Sequence, residues 1–206
     1  MSLLLRLSRA IDIVSEWCGR IIMWLVLAAV LISAGNAIMR KAFSIGSNAY
    51  LEIQWYLFAA VFMLGAGFVL LRNGHVRIDF ISARLSKRTN TIIDIVGILI
   101  VLVPFCVLMI ELSWPLFHRA WVSGETSQNA GGLIRWPVLV LIPVGFALLL
   151  LQGVSELIKR IAYLSGRLEE PITRDPHERS EEERLLEELQ AQAEAREAAL
   201  REGAPR

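Results

Sequence analysis

Four stretches of this chain carry no charged residue: residues 21–39, 53–71, 95–110 and 136–155. An α-helix rises 1.5 Å per residue, so about 20 residues cross the ~30 Å hydrocarbon core of a bilayer. Three of the runs meet that length as they stand. The third meets it if it extends over about residues 91–114, with Asp94 and Glu111 at its ends. A soluble four-helix bundle would need a polar face on each helix, and these runs are apolar all round. The sequence is 55% hydrophobic, with the excess gathered in the runs. The expected fold is an all-α integral membrane protein of four transmembrane helices, with spans at about 21–39, 53–71, 91–114 and 136–155.

The flanks are different in kind. Residues 1–20 read as an N-terminal amphipathic helix, suited to the membrane interface or to packing on a partner as a soluble helix. Leu3, Leu4, Leu7, Ile11, Val14 and Cys18 fall on one face, and Arg6, Arg9, Asp12, Glu16 and Arg20 opposite. A cleaved signal peptide would have a shorter, uniformly basic leader, and Asp12 and Glu16 interrupt this one. The four-helix domain covers 21–160. Residues 161–206 form a linker and a charged helical tail. Pro171 and Pro176 mark the linker, Ser180 with Glu183 forms a capping box, and a helix is expected from there to about Glu202. Its apolar stripe (Leu186, Leu189, Ala193, Leu200) is thin and broken by Arg196.

Charge sets the topology. The net charge of +1 divides into a basic membrane part and a tail, residues 167–206, with 7 Lys/Arg against 12 acids. The loop between spans 2 and 3 holds five cations (Arg72, Arg77, Arg84, Lys87, Arg88), whereas the 1–2 and 3–4 loops hold two each. By the positive-inside rule both termini and the 72–90 loop are cytoplasmic, and the 40–52 and 115–135 loops face outward. Tyr50, Trp55, Trp114, Trp121 and Trp136 would mark the outer interface, and Trp17 and Tyr163 the inner. The balance of charge gives no case for nucleic-acid binding.

Little in the spans carries chemistry. Cys18 and Cys106 lack metal-ligand spacing. His75, His118 and His177 lie far apart, and there is no nucleophile–base pair, phosphate loop or dinucleotide fingerprint. No catalytic, cofactor or metal residue is therefore assigned. Ala29, Ser33 and Ala37 recur every four residues on span 1, and Gly65 and Gly67 lie within span 2. Small residues let helix backbones approach in lipid, so these five are candidates for helix packing. Pro104 and Pro143 read as simple kinks. Asp94 and Glu111, at opposite ends of span 3, read as interfacial. Arg40 and Glu52 are placed to pair across the first outer loop. Arg72, His75, Arg77 and Asp79 crowd the inner end of span 2, as a polar joint to a partner subunit or to lipid headgroups.

These residues form a pattern. Asn36, Arg40, Phe43 and Glu52, then residues 55–71, then Gly74-His75-Val76-Arg77-Ile78-Asp79, resemble the small transmembrane (DctQ-like) subunit of tripartite ATP-independent periplasmic (TRAP) transporters. The stretch from Ala130-Gly131-Gly132 through Trp136-Pro137 to Ile142-Pro143-Val144-Gly145 is similar to that family's fourth span. Many members carry two adjacent acids at the start of span 2, where this chain has Leu51-Glu52. The resemblance implies a bacterial inner-membrane protein with three kinds of partner: a large TRAP membrane subunit, a periplasmic solute-binding protein and membrane lipids. The binding protein would capture an organic acid, and the large subunit would move it with a sodium gradient. The small subunit would be its scaffold, with no substrate contact of its own. The competing readings are a standalone homo-oligomeric transporter, which mid-depth intramembrane charge would favour, and a membrane-bound enzyme, which needs clustered His or acid–His pairs.

Overall fold

A computed structural model describes residues 2–73 and 85–168, together with Leu189. The chain divides into two units, Met1–Ile172 and Thr173–Arg206. The hexapeptide at 74–79, with His75, Arg77 and Asp79, lies outside the described residues, as does the expected tail helix apart from Leu189.

Among the described residues the long elements of the first unit are helices, as four hydrophobic runs require, beside one isolated antiparallel bridge between Thr126 and Ile134. Helix α1 is Ser2–Phe43, α2 is Asn48–Leu71, α3 is Lys87–Gly97, α4 is Val103–Ser123 and α5 is Trp136–Leu164. A π-helical turn, Ile98–Leu102, joins α3 to α4 without a break. α1, α2, the joined α3–α4 rod and α5 are the four helices long and apolar enough to cross a membrane. Helix α5 is the hub: α1, α2, α3 and α4 all pack on it, and α1 also packs on α2.

Local chemistry sets the ends. Ser47 caps α2, its Oγ accepting from the Ala49 N–H at 3.3 Å. Ser86 caps α3 in the same way through the Thr89 N–H at 3.1 Å. Such caps satisfy one of the amides that the first turn leaves without a partner. Gly124 ends α4 in the left-handed conformation, φ 62°. Residues 2–20 do not form a separate element: they run into the first span as one helix of 42 residues.

The burial pattern is that of a protein whose solvent is lipid. The buried apolar residues are few and mostly small, among them Ala29, Cys106, Ala120 and Ala162, while Trp24 and Phe62 are each 72% exposed. Gln152, Ser155, Glu156, Lys159 and Arg160 are buried. A water-soluble bundle would reverse this arrangement. Close approach is made by glycine. A Cβ at Gly145 would lie 2.7 Å from the Met63 carbonyl oxygen, and one at Gly67 would lie 3.3 Å from that of Leu148, so α2 and α5 touch backbone to backbone.

The turn before Pro104 is widened: the Val103 N–H reaches back to the Ile98 carbonyl, and Pro104 has no N–H to return to Ile100. The extra residue has a consequence for the face turned to α5. Thr91, Ile98, Cys106, Ser113 and Ala120 are buried, at seven-residue intervals except for the step of eight across the wide turn. The π turn thus keeps a single buried stripe along the whole rod.

Candidate functional site

Polar side chains gather at the two ends of the bundle. At the end away from the N-terminus, Glu52 sits in the first turn or so of α2 and is 4% exposed. Its carboxylate is bound by the loop between α4 and α5. Oε1 accepts from Ser127 Oγ at 2.5 Å and from Asn129 Nδ2 at 2.7 Å, and Oε2 accepts from the Leu133 backbone N–H at 2.7 Å. The loop is tied further. Asn48 Nδ2 donates to the Ala130 carbonyl, Tyr56 Oη donates to the Ile134 carbonyl, and Arg135 pairs with Glu125. Backbone bonds from Ser127 N–H to Leu133 O and from Arg135 N–H to Glu125 O close it into a narrow hairpin-like turn. The two adjacent glycines belong to this device. Gly131 has φ 71°, and a Cβ on Gly132 would stand 2.6 Å from Ser127 Cβ, displacing one of the groups that hold Glu52.

The expected Arg40–Glu52 pair does not form. Both carboxylate oxygens of Glu52 are committed to the 127–133 loop, and Arg40 is exposed. The partners lie over 70 residues further along the chain, where local sequence carries no sign of them.

At the N-terminal end a network joins α1, α3 and α5. Asp12 Oδ1 accepts from Ser155 Oγ at 2.7 Å and from Gln152 Nε2 at 3.0 Å. Lys159 Nζ lies 3.3 Å from Asp12 Oδ2 and 2.5 Å from Glu156 Oε1. Arg160 pairs with Glu156 through Nη1 and with Asp94 Oδ2 through Nε, the latter at 3.2 Å. Ser15 Oγ donates to Gln152 Oε1 at 2.7 Å, and the hydroxyls of Ser8 and Ser155 bond to each other at 2.7 Å. Nearby, Arg72 binds Glu16 at 3.5 Å and lies over the Phe68 ring, tying α2 to α1. Asp94 therefore has a buried guanidinium as partner and does more than reach for the interface.

Six members of this network (Asp12, Gln152, Ser155, Glu156, Lys159 and Arg160) do not stand out as site residues in the sequence alone. A signal is there nonetheless: Glu156, Lys159 and Arg160 stand at i, i+3 and i+4, with Gln152 and Ser155 a turn earlier on the same face. Of the residues proposed for packing, Ala29, Gly65 and Gly67 are buried, whereas Ser33 and Ala37 are exposed. Among the described residues, no three His, Cys, Asp or Glu side chains gather as a metal cage.

The site thus consists of two polar clasps and a glycine seam, which hold helices together. A profile for the tripartite ATP-independent periplasmic transporters, DctQ component, matches residues 29–162. The chain belongs to the DctQ family. It is the small permease component of a TRAP transporter, a multi-pass membrane protein of a transport family rather than an enzyme family. No curated protein matches the chain. The matched region begins at Ala29 and ends at Ala162, so it takes in the Glu52 clasp and the α5 half of the polar network.

Proposed function

We propose that this DctQ chain is a fixed scaffold for the large TRAP membrane subunit, which carries out sodium-coupled uptake of an organic acid delivered by a periplasmic binding protein. The observation that carries the reading is the use made of the polar side chains. Glu52 ties α2 to the loop after α4, Lys159 and Arg160 tie α5 to α1 and α3, and Glu156 pairs with both of those cations from within α5. A moving carrier domain needs something rigid to move against, and a bundle clasped at both ends supplies it. The basic 72–90 loop and the N-terminal arginines support an orientation with both termini in the cytoplasm of a bacterial inner membrane and the Glu52 clasp on the periplasmic side.

Purification of the tagged chain from its native host in mild detergent tests this. The expected result is stoichiometric co-elution of a membrane protein of about a dozen spans, identified by mass spectrometry as the large TRAP subunit. Elution as a homo-oligomer without that subunit would contradict the reading.

A further inference from the structure

We infer that the outward face of α4 around Glu111 docks a transmembrane helix of the large membrane subunit, and that this helix sets a basic side chain against the Glu111 carboxylate. The inference rests on the scaffold reading above and adds the surface and the ion pair by which the two chains meet.

The first observation is depth. Trp121 packs on Trp136 and Phe105 on Phe146, so the part of α4 that holds Glu111 runs alongside residues 136–146 of α5. Those residues belong to the uncharged run 136–155. Along its own helix Glu111 lies roughly 15 Å inward of Trp121. From the other end it lies about 25 Å from Asp94, whose partner Arg160 stands just beyond that run. Both marks put Glu111 deep in the ~30 Å hydrocarbon zone, and not at the interfacial end of its span that the sequence suggests. The Cα–Cβ bonds of a helix tilt toward its N-terminus, so the side chain sets out away from the Trp121 end.

The second observation is exposure without a partner. Helix α4 packs on α5 with Cys106, Ser113 and Ala120 buried. Glu111 is exposed, and no described residue bonds its carboxylate. Arg119, the next arginine along α4, stands about 12 Å nearer the outer end. Pro115, also exposed, lies one turn on and has no N–H to give to the Glu111 carbonyl. One point of the helix thus presents an unmatched carboxylate and a backbone carbonyl denied its helical partner. Lipid tails hold no donor for either. Protonation of the carboxyl would remove the charge and still leave polar groups unmatched.

Charge selects the occupant. Acids within a membrane pair with cations or line a polar path. Glu111 faces away from α5, so it lines no path among the described helices. A second copy docked by this face, in the same orientation across a two-fold axis, would set Glu111 near Glu111. None of the four uncharged runs supplies a cation at that depth. A helix of a different chain, with Lys or Arg at the level of Glu111, satisfies the carboxylate, and its donors suit the freed carbonyl as well. In the scaffold reading the large subunit is the chain placed to supply it.

The test uses the whole transporter in native membranes. A photo-crosslinking amino acid at Leu108 or Leu112, exposed on either side of Glu111, is expected to form an adduct with the large subunit. Glu111→Leu is expected to lower co-purification of that subunit at least ten-fold, while the variant chain by itself stays as monodisperse as the unmodified one. Glu111→Lys is expected to lower it at least as far, because like charges would then meet. Co-purification undiminished by Glu111→Leu overturns the proposal and leaves the scaffold reading standing. Adducts with lipid alone, or with a second copy of the chain, do the same. A Glu111→Leu chain that aggregates by itself overturns it too, since Glu111 would then serve this chain's own fold. Absence of the large subunit from the unmodified preparation overturns both readings.

Discussion

Glu52 shows how one side chain can hold a loop. Three donors converge on its carboxylate, and one of them is a backbone amide. Glu52→Gln keeps the size but turns an NH2 toward either the Leu133 N–H or the Ser127 and Asn129 donors. Hydrogen bonds to a charged group contribute about 1.5–3 kcal/mol each. The expected outcome is faster amide hydrogen exchange at Leu133 and across residues 125–134, by roughly ten-fold or more, with the helices unchanged. Exchange that stays as slow as in the unmodified protein would show that the loop holds without Glu52. At the other end, Glu156 is 2% exposed and bridges Lys159 and Arg160. Removing one partner from a buried ionic network costs about 3–5 kcal/mol, because the remaining charges stay desolvated. Glu156→Ala is therefore expected to lower the unfolding temperature in detergent by several degrees, read by loss of the monodisperse peak on heating. An unchanged transition would mean that the network contributes little.

At the scale of elements, the rod from Lys87 to Ser123 depends on one extra residue in its π turn. Each residue added to or removed from a regular helix rotates the remainder of that helix by about 100°. Deleting Val101 takes the extra residue out of the wide turn and leaves Ile98 and Cys106 seven apart, as the rest of the stripe already is. Deleting Val107, one turn further on in regular helix, turns Ser113 and Ala120 away from α5. The first deletion is expected to fold with a modest loss of thermal stability, and the second to abolish a monodisperse product. Equal damage from both would contradict the role given to the π turn. The seam of glycines works at the same scale, since Gly145 and Gly67 set how closely α2 and α5 approach.

At the scale of the whole molecule, the helices were legible because length and lack of charge are local properties, and lipid imposes both. The side-chain partners were less legible for a physical reason. Ser8, Asp12 and Ser15 look like the wet side of an amphipathic helix, yet in a membrane bundle the polar face turns inward, where Gln152, Ser155 and Lys159 meet it. Glu52 has a cation within a dozen residues, but its true partners come from a loop that only the folded bundle brings near. The glycines at 65 and 67 were readable because close packing needs a missing side chain, whereas Ser33 and Ala37, small residues spaced by four from Ala29, remain exposed. The two clasps, the seam and the long first helix together describe a molecule built to stay in one shape. Its part in transport is to be judged by reconstitution. Proteoliposomes with an imposed sodium gradient would receive this chain alone, the large subunit alone, or both, each with the binding protein and its radiolabelled organic acid outside. The account predicts uptake only when both membrane chains are present. Solute accumulation by vesicles holding this chain without the large subunit would contradict it.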